Sequence, residues 1–199
     1  MDRVDELARA FERFPGIGPR QAKRFVYHLL ATNSSDRTRL ADLISSIGAS
    51  VKQCHDCKRF WSGSGDACNY CSDSTRTDAQ LMLVERDQDL LAMERTGSYR
   101  GRYFVLGGVL TLSGKGAIRE RELVERVRRA SEKELDEIIL ALSATSEGEH
   151  TSDHIRALLT PLRGHIKLFE LGRGLATGSE LEYADKETLS AALTNRKET

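Results

Sequence analysis

The 199-residue sequence has no apolar run approaching the roughly 20 residues that a membrane-spanning helix needs, which excludes an integral helical membrane protein. Its opening residues, Met1-Asp2-Arg3-Val4-Asp5-Glu6, lack the basic and apolar regions of a secretory leader, so a cytoplasmic protein is expected. Net charge is missing too: 30 basic residues balance 30 acidic ones, and the overall field names no partner. Internal repeats and low-complexity tracts are absent, which removes solenoids and biased linkers. Cysteine is absent everywhere except between positions 54 and 71. A chain of this length holds one sizeable core, or a moderate core with small appended modules.

The cysteines themselves are the strongest signal. Cys54, Cys57, Cys68 and Cys71 make two Cys-x2-Cys pairs separated by ten residues. Two disulfides or a thioredoxin-like redox pair are the rival readings, but two matched pairs in a sequence that shows no secretory signal fit a four-cysteine zinc knuckle better. Four thiolates complete a tetrahedral shell with no open position, so the expected Zn2+ is structural and not catalytic. The intervening segment is dominated by Asp56, Ser62, Gly63, Ser64, Gly65 and Asp66, and such a loop needs the metal to supply folding free energy. His55, inside the first pair, is expected to be exposed or to stand behind the ligands. Phe60 and Trp61 are expected to cover the metal or pack on a neighbouring domain, with base stacking the lesser alternative.

Residues 1–53 read as helices. Val4, Leu7, Ala8 and Phe11 share a helical stripe, as do Ala22, Phe25, Val26, Leu29 and Leu30, and then Leu40, Leu43, Ile44, Ile47 and Val51. Between the first two stripes lies Phe14-Pro15-Gly16-Ile17-Gly18-Pro19, a hairpin that starts a helix. Gly16 and Gly18 leave backbone N–H groups open to phosphate, and Arg20, Lys23 and Arg24 follow on the helix. The pattern is that of a helix-hairpin-helix that binds DNA without reading its sequence. The plainer alternative is a corner made by glycines with solvated basic side chains.

Beyond the cysteines the pattern changes. Short apolar runs at Leu81–Val84, Tyr103–Leu106, Ile138–Leu142 and Ile166–Phe169 read as strands. Helices are expected through Leu90–Arg95, Glu120–Arg129, Ser152–Leu159 and Lys186–Leu193, which implies a mainly parallel sheet covered by helices. Glu85 ends the first of these strands, and Ser143-Ala144-Thr145-Ser146-Glu147-Gly148-Glu149 follows the third. Together they resemble the Toprim domain of topoisomerases, primases and several nucleases, in which a glutamate and an Asp-x-Asp pair hold magnesium for phosphoryl transfer. Aligned on Glu147-Gly148-Glu149, the two aspartates fall on Ser143 and Thr145. Hydroxyls do not replace carboxylates as ligands of a hard cation, so Glu85, Glu147 and Glu149 could gather at most one weakly held Mg2+.

Taken in order, the hairpin, the cysteine quartet, Glu94-Arg95-Thr96-Gly97-Ser98-Tyr99-Arg100-Gly101, Val105-Leu106-Gly107-Gly108, Glu147-Gly148-Glu149 and Leu181-Glu182-Tyr183-Ala184-Asp185 resemble the RecR family of bacterial recombination mediators. The resemblance implies a multidomain α and α/β protein: a helix-hairpin-helix region at 1–53, a zinc knuckle at 54–76, a Toprim domain at 77–170, and at 171–199 an oligomerisation segment with a Gly-rich stretch and a helix. It also implies a homodimer or homotetramer that clamps DNA and, with RecO and in some settings RecF, loads RecA onto single strands coated by SSB. On that reading Arg20 and Arg24, with Lys23 between them, line the ring, Glu85, Glu147 and Glu149 face RecO, and no reaction is catalysed. The competing reading is a magnesium-dependent Toprim nuclease or primase, and a weaker third is a zinc-dependent transcription regulator.

Overall fold

A computed structural model of the chain describes residues 2–114, 116–132, 134–162 and 164–196. The chain divides into two compact units, the first ending at Lys52 and the second starting at Gln53.

The first unit is helical: α1 (Arg3–Glu12), α2 (Pro19–Ala31) and α3 (Ser34–Ser50). Asp2 starts α1 by accepting from the Val4 N–H, and Asn33 starts α3 by accepting from the Asp36 N–H, each satisfying a donor that has no partner within the helix. α1 and α2 meet through Ala8, Ala22 and Val26, all buried, with Val4, Phe11 and Ile17 packed around them. Small side chains at the crossing let the backbones approach, and the Phe11 ring meets Phe25 edge-on at 5.7 Å. No residue of α3 is buried. Its expected apolar stripe is present but open, with Leu43, Ile44 and Ile47 each about 60% exposed.

The division falls within β1 (Lys52–Gln53), which forms a two-stranded ribbon with β2 (Phe60–Trp61), and the second unit continues with a single helical turn, α4 (Asn69–Ser72). A four-stranded sheet follows, β3 (Gln80–Val84), β4 (Arg102–Val105), β5 (Glu137–Ala141) and β6 (Lys167–Glu170), in spatial order β4-β3-β5-β6. All three pairings are parallel, so Leu83 lies opposite Phe104 on one side and Leu140 on the other. Helices α5 (Asp87–Arg95), α6 (Glu120–Ser131) and α7 (Ser146–Leu159) make the crossovers, and a short 3-10 turn (Leu181–Tyr183) precedes α8 (Lys186–Thr194).

Alternation along β3 assigns the faces. Leu81 and Leu83 point into a core with Phe104, Leu123, Val127 and Ile155, which α6 and α7 cover. Met82 and Val84 point the other way, against Leu90 of α5, Tyr103, and three of the four cysteines. A strand covered on both faces is apolar throughout, and so Leu81–Val84 forms an unbroken run.

Each expected strand is present within a residue or so of the expected bounds. The expected helix Ser152–Leu159 is instead six residues longer, beginning at Ser146. Ser143–Glu149 carries no apolar periodicity, yet Thr145 caps the helix by accepting from the Gly148 N–H at 3.1 Å. Residues 171–180 contain no helix or strand, and the end of the expected C-terminal segment, 197–199, lies outside the described residues.

Candidate nucleic-acid interface and metal centre

The hairpin is built by backbone geometry. Gly16 has φ +76°, a left-handed conformation, and a Cβ there would meet nothing within 4 Å, so glycine is required by the dihedral and not by space. Ile17 tucks against the small α1–α2 core while its N–H donates to the Phe14 carbonyl at 3.2 Å, which pins the turn. Gly18 then occupies the N-cap of α2, with Pro19 behind it and neither a side-chain cap nor an acidic residue in the first turn. Positive helix-end charge is thus left uncompensated by the chain itself.

Arg20, Lys23 and Arg24 are all exposed on α2. They differ in availability. Lys23 Nζ sits 3.2 Å from Asp5, Arg24 donates to Gln21 Oε1 at 3.4 Å, and Arg20 has no ion pair among the described residues.

The four cysteine sulfurs lie within 4.8 Å of one another. Zinc–thiolate bonds imply a tetrahedron with edges of ~3.8 Å, so the cluster is of the right size and donor type. Two turns present it. In the first, the Lys58 N–H donates to the Cys54 carbonyl at 3.0 Å, with Lys58 itself at φ +62°; in the second, Cys71 and Ser72 both donate to the Cys68 carbonyl. The Cys68 N–H also points at Cys54 Sγ, 3.3 Å away, as backbone amides do at thiolates. Hydrogen bonds from Cys57, Cys68 and Cys71 hold Cys54 well below the usual thiol range, while donation to Cys54, Cys57 and Cys68 holds the Cys71 thiol well above it. Protons and a divalent cation therefore compete for the same sulfurs. His55 is exposed and faces Asp56, outside the quartet. The aromatic pair splits: Trp61 packs beside the cysteines, whereas Phe60 is 55% exposed, although its N–H donates to Asp87 Oδ1.

Arginines that the sequence did not single out anchor this loop to the sheet. Arg102, at the start of β4 and with an 11% exposed side chain, donates to Asp78 Oδ1 at 2.7 Å and to the carbonyls of Tyr70, Cys71 and Asp73 at 2.9–3.1 Å. One planar guanidinium thus fixes the path of the second cysteine turn. Arg76 is buried against Glu94 at 2.5 Å, with its guanidinium 5.0 Å from the Tyr70 ring. Carbonyl acceptors and a partner 18 residues away leave no mark in a sequence pattern.

At the carboxyl ends of the strands the acidic residues do not converge. Glu85 is 8% exposed, and its Oε1 accepts the Ser143 N–H at 2.6 Å, closing β3 onto the loop after β5. The Ser143 and Thr145 hydroxyls are 3.1 Å apart. Gly148 is obligatory here, because a Cβ would lie 2.0 Å from the Ser143 carbonyl oxygen. Glu147 is half-buried on α7, while Glu149 is exposed and paired with Arg173 at 2.5 Å. Among the described residues the cysteine quartet is the only convergent set of three or more such ligands, so Glu85, Glu147 and Glu149 are not brought together around a cation.

Comparison with known proteins matches these parts separately and together. Residues 79–168 match the Toprim domain family, residues 4–47 match the family described as RecR, helix-hairpin-helix, and residues 174–197 match RecR, C-terminal. The chain is 40% identical over 198 residues to the recombination protein RecR of Ruegeria pomeroyi, covering 98% of this chain and 96% of that one. Similar relatives are the RecR proteins of Ruegeria sp. strain TM1040, at 41% over 197 residues with the same coverage, and of Nocardioides sp., at 39% over 199 residues covering 98% and 94%.

Proposed function

This chain belongs to the RecR family of recombination proteins, and on that premise we propose that it is a DNA-binding mediator of recombinational repair with no turnover of its own. It assembles as a homodimer or homotetramer, closes a ring or clamp on DNA, and acts with RecO and RecF to load RecA onto SSB-coated single strands. The observation that carries this reading is the side-chain-free turn Gly16–Gly18 opening onto exposed Arg20 and Arg24. Such a turn offers amides and cations to phosphate, and nothing to base edges.

One hairpin with three basic residues gives weak, salt-sensitive binding, and a neutral chain has no further field to add. Several identical hairpins in one assembly multiply the phosphate contacts. The open apolar stripe of α3 supports self-association. Cys54, Cys57, Cys68 and Cys71 would hold zinc, which when bound supplies folding free energy to a polar loop. Glu147 and Glu149, in the first turn of α7, offer acidic charge to a basic surface of RecO, and buried Glu85 holds the loop that leads into that helix.

The test is RecA loading on SSB-coated single-stranded DNA with RecO present, comparing the native chain with Arg20→Ala/Arg24→Ala. Loading and DNA binding are expected to fall together while the sedimentation coefficient is unchanged. Magnesium-dependent nicking or primer synthesis by the purified chain, lost in Glu85→Gln, would establish the enzyme reading instead.

A further inference from the structure

The four cysteines are not equivalent. Cys54, Cys57 and Cys68 are wholly buried, whereas Cys71 is half-buried and lines a cavity of about 360 Å³ between the second cysteine turn and the C-terminal half of α6. The cavity that Cys71 shares is lined by Arg102, Arg126 and Arg129 together with Asp56, Asp78 and Glu132. Arg102 is fully engaged and Arg129 stands 3.6 Å from Asp56, but the Arg126 Nε is buried with no hydrogen-bond partner. A buried Nε–H without an acceptor, on a side chain lining the same cavity as Cys71, is costly unless something accepts from it.

We propose that Cys71 is an oxidation site for small peroxides, and that its modification opens the metal centre. The proposal rests on the zinc reading of the quartet. Hydrogen peroxide enters the cavity, its near oxygen bonds to Cys71 Sγ, and the O–O bond breaks. The far oxygen leaves as hydroxide, and Arg126 is placed to donate to it as charge develops. A neighbouring thiolate, none being farther than 4.8 Å, then attacks the sulfenic sulfur. The S–S bond forms and a second hydroxide departs. Two thiolates are oxidised, one peroxide is reduced, and zinc is released for lack of ligands.

The experiment uses the full chain, with zinc per chain measured first, then limiting hydrogen peroxide in the presence of dimedone and a chromogenic zinc chelator. The adducts are mapped by tandem mass spectrometry. The first adduct is expected on Cys71, and zinc release is expected to follow the same dose. Arg126→Met is expected to bind zinc normally yet form the adduct about tenfold more slowly, the worth of one charged hydrogen bond. A first adduct on Cys54, Cys57 or Cys68, equal labelling of all four, or an unchanged rate in Arg126→Met overturns the proposal. Absence of zinc from the purified chain would sink the metal reading and the proposal with it, whereas a zinc-loaded chain with the wrong order of adducts overturns the Cys71 assignment alone.

Discussion

Arg76 and Glu94 show what single residues do in this molecule. Their side chains are 4% and 16% exposed and meet at 2.5 Å, so each charge is compensated mainly by the other. Removing one leaves the other stranded: Glu94→Ala should lower stability by about 3–5 kcal/mol in urea denaturation, and Arg76→Met/Glu94→Leu should recover most of it. Tyr99 and Tyr103 lie beside this pair, and burial is the main force that raises both phenols well above their usual range, with nearby acidic charge adding to it. An unfolded tyrosine ionises near pH ~10, where the folded ones still hold their protons. The unfolded chain then binds fewer protons, so stability is complete below about pH 10 and falls as pH rises beyond it. Denaturation midpoints from about pH 8 to 11 should show that fall, and Tyr103→Phe should reduce it. At this scale the cysteine quartet was legible, because residue type and spacing carry its chemistry. Arg76 and Arg102 were not, since their acceptors are distant carboxylates and main-chain oxygens.

At the level of elements, α2 carries the clearest separation between cations that look alike in sequence. Arg20 is free of ion pairs among the described residues, while Lys23 is held by Asp5. Arg20→Ala should therefore reduce the slope of log affinity against log salt by about one, as expected for one lost phosphate contact. Lys23→Ala should reduce it by less, measured by fluorescence anisotropy on the same duplex across a salt series. The hairpin was readable because two glycines around one apolar residue leave few alternatives. The start of α7 was not: Ser146 to Glu149 is polar, and the signal lay in Thr145 as a cap with Glu147 and Glu149 in the first turn. Strand positions were readable from apolar runs, but their ends shift by a residue because ladder partners, not side chains, decide where a strand stops.

The whole molecule combines a helical unit, whose core contains no metal ligand, with a sheet unit that counts three cysteines among its buried residues. On the proposed zinc reading of the quartet, a chelator should raise amide exchange at Val105 and Tyr103 while leaving α1 and α2 as protected as before, read by mass-resolved hydrogen exchange. The α/β alternation made the sheet legible. That the knuckle joins its core was hidden by the loop's polar composition. One bond in that junction has a practical result. β4 is an outermost strand, and the Val105 N–H donates to the Cys57 carbonyl at 2.8 Å, so the knuckle blunts an edge that would otherwise offer itself to another strand. A metal-starved preparation should then fail first by clumping, faster at higher protein concentration and before secondary structure is lost. Poor yield from zinc-poor medium would be a symptom of an uncovered strand.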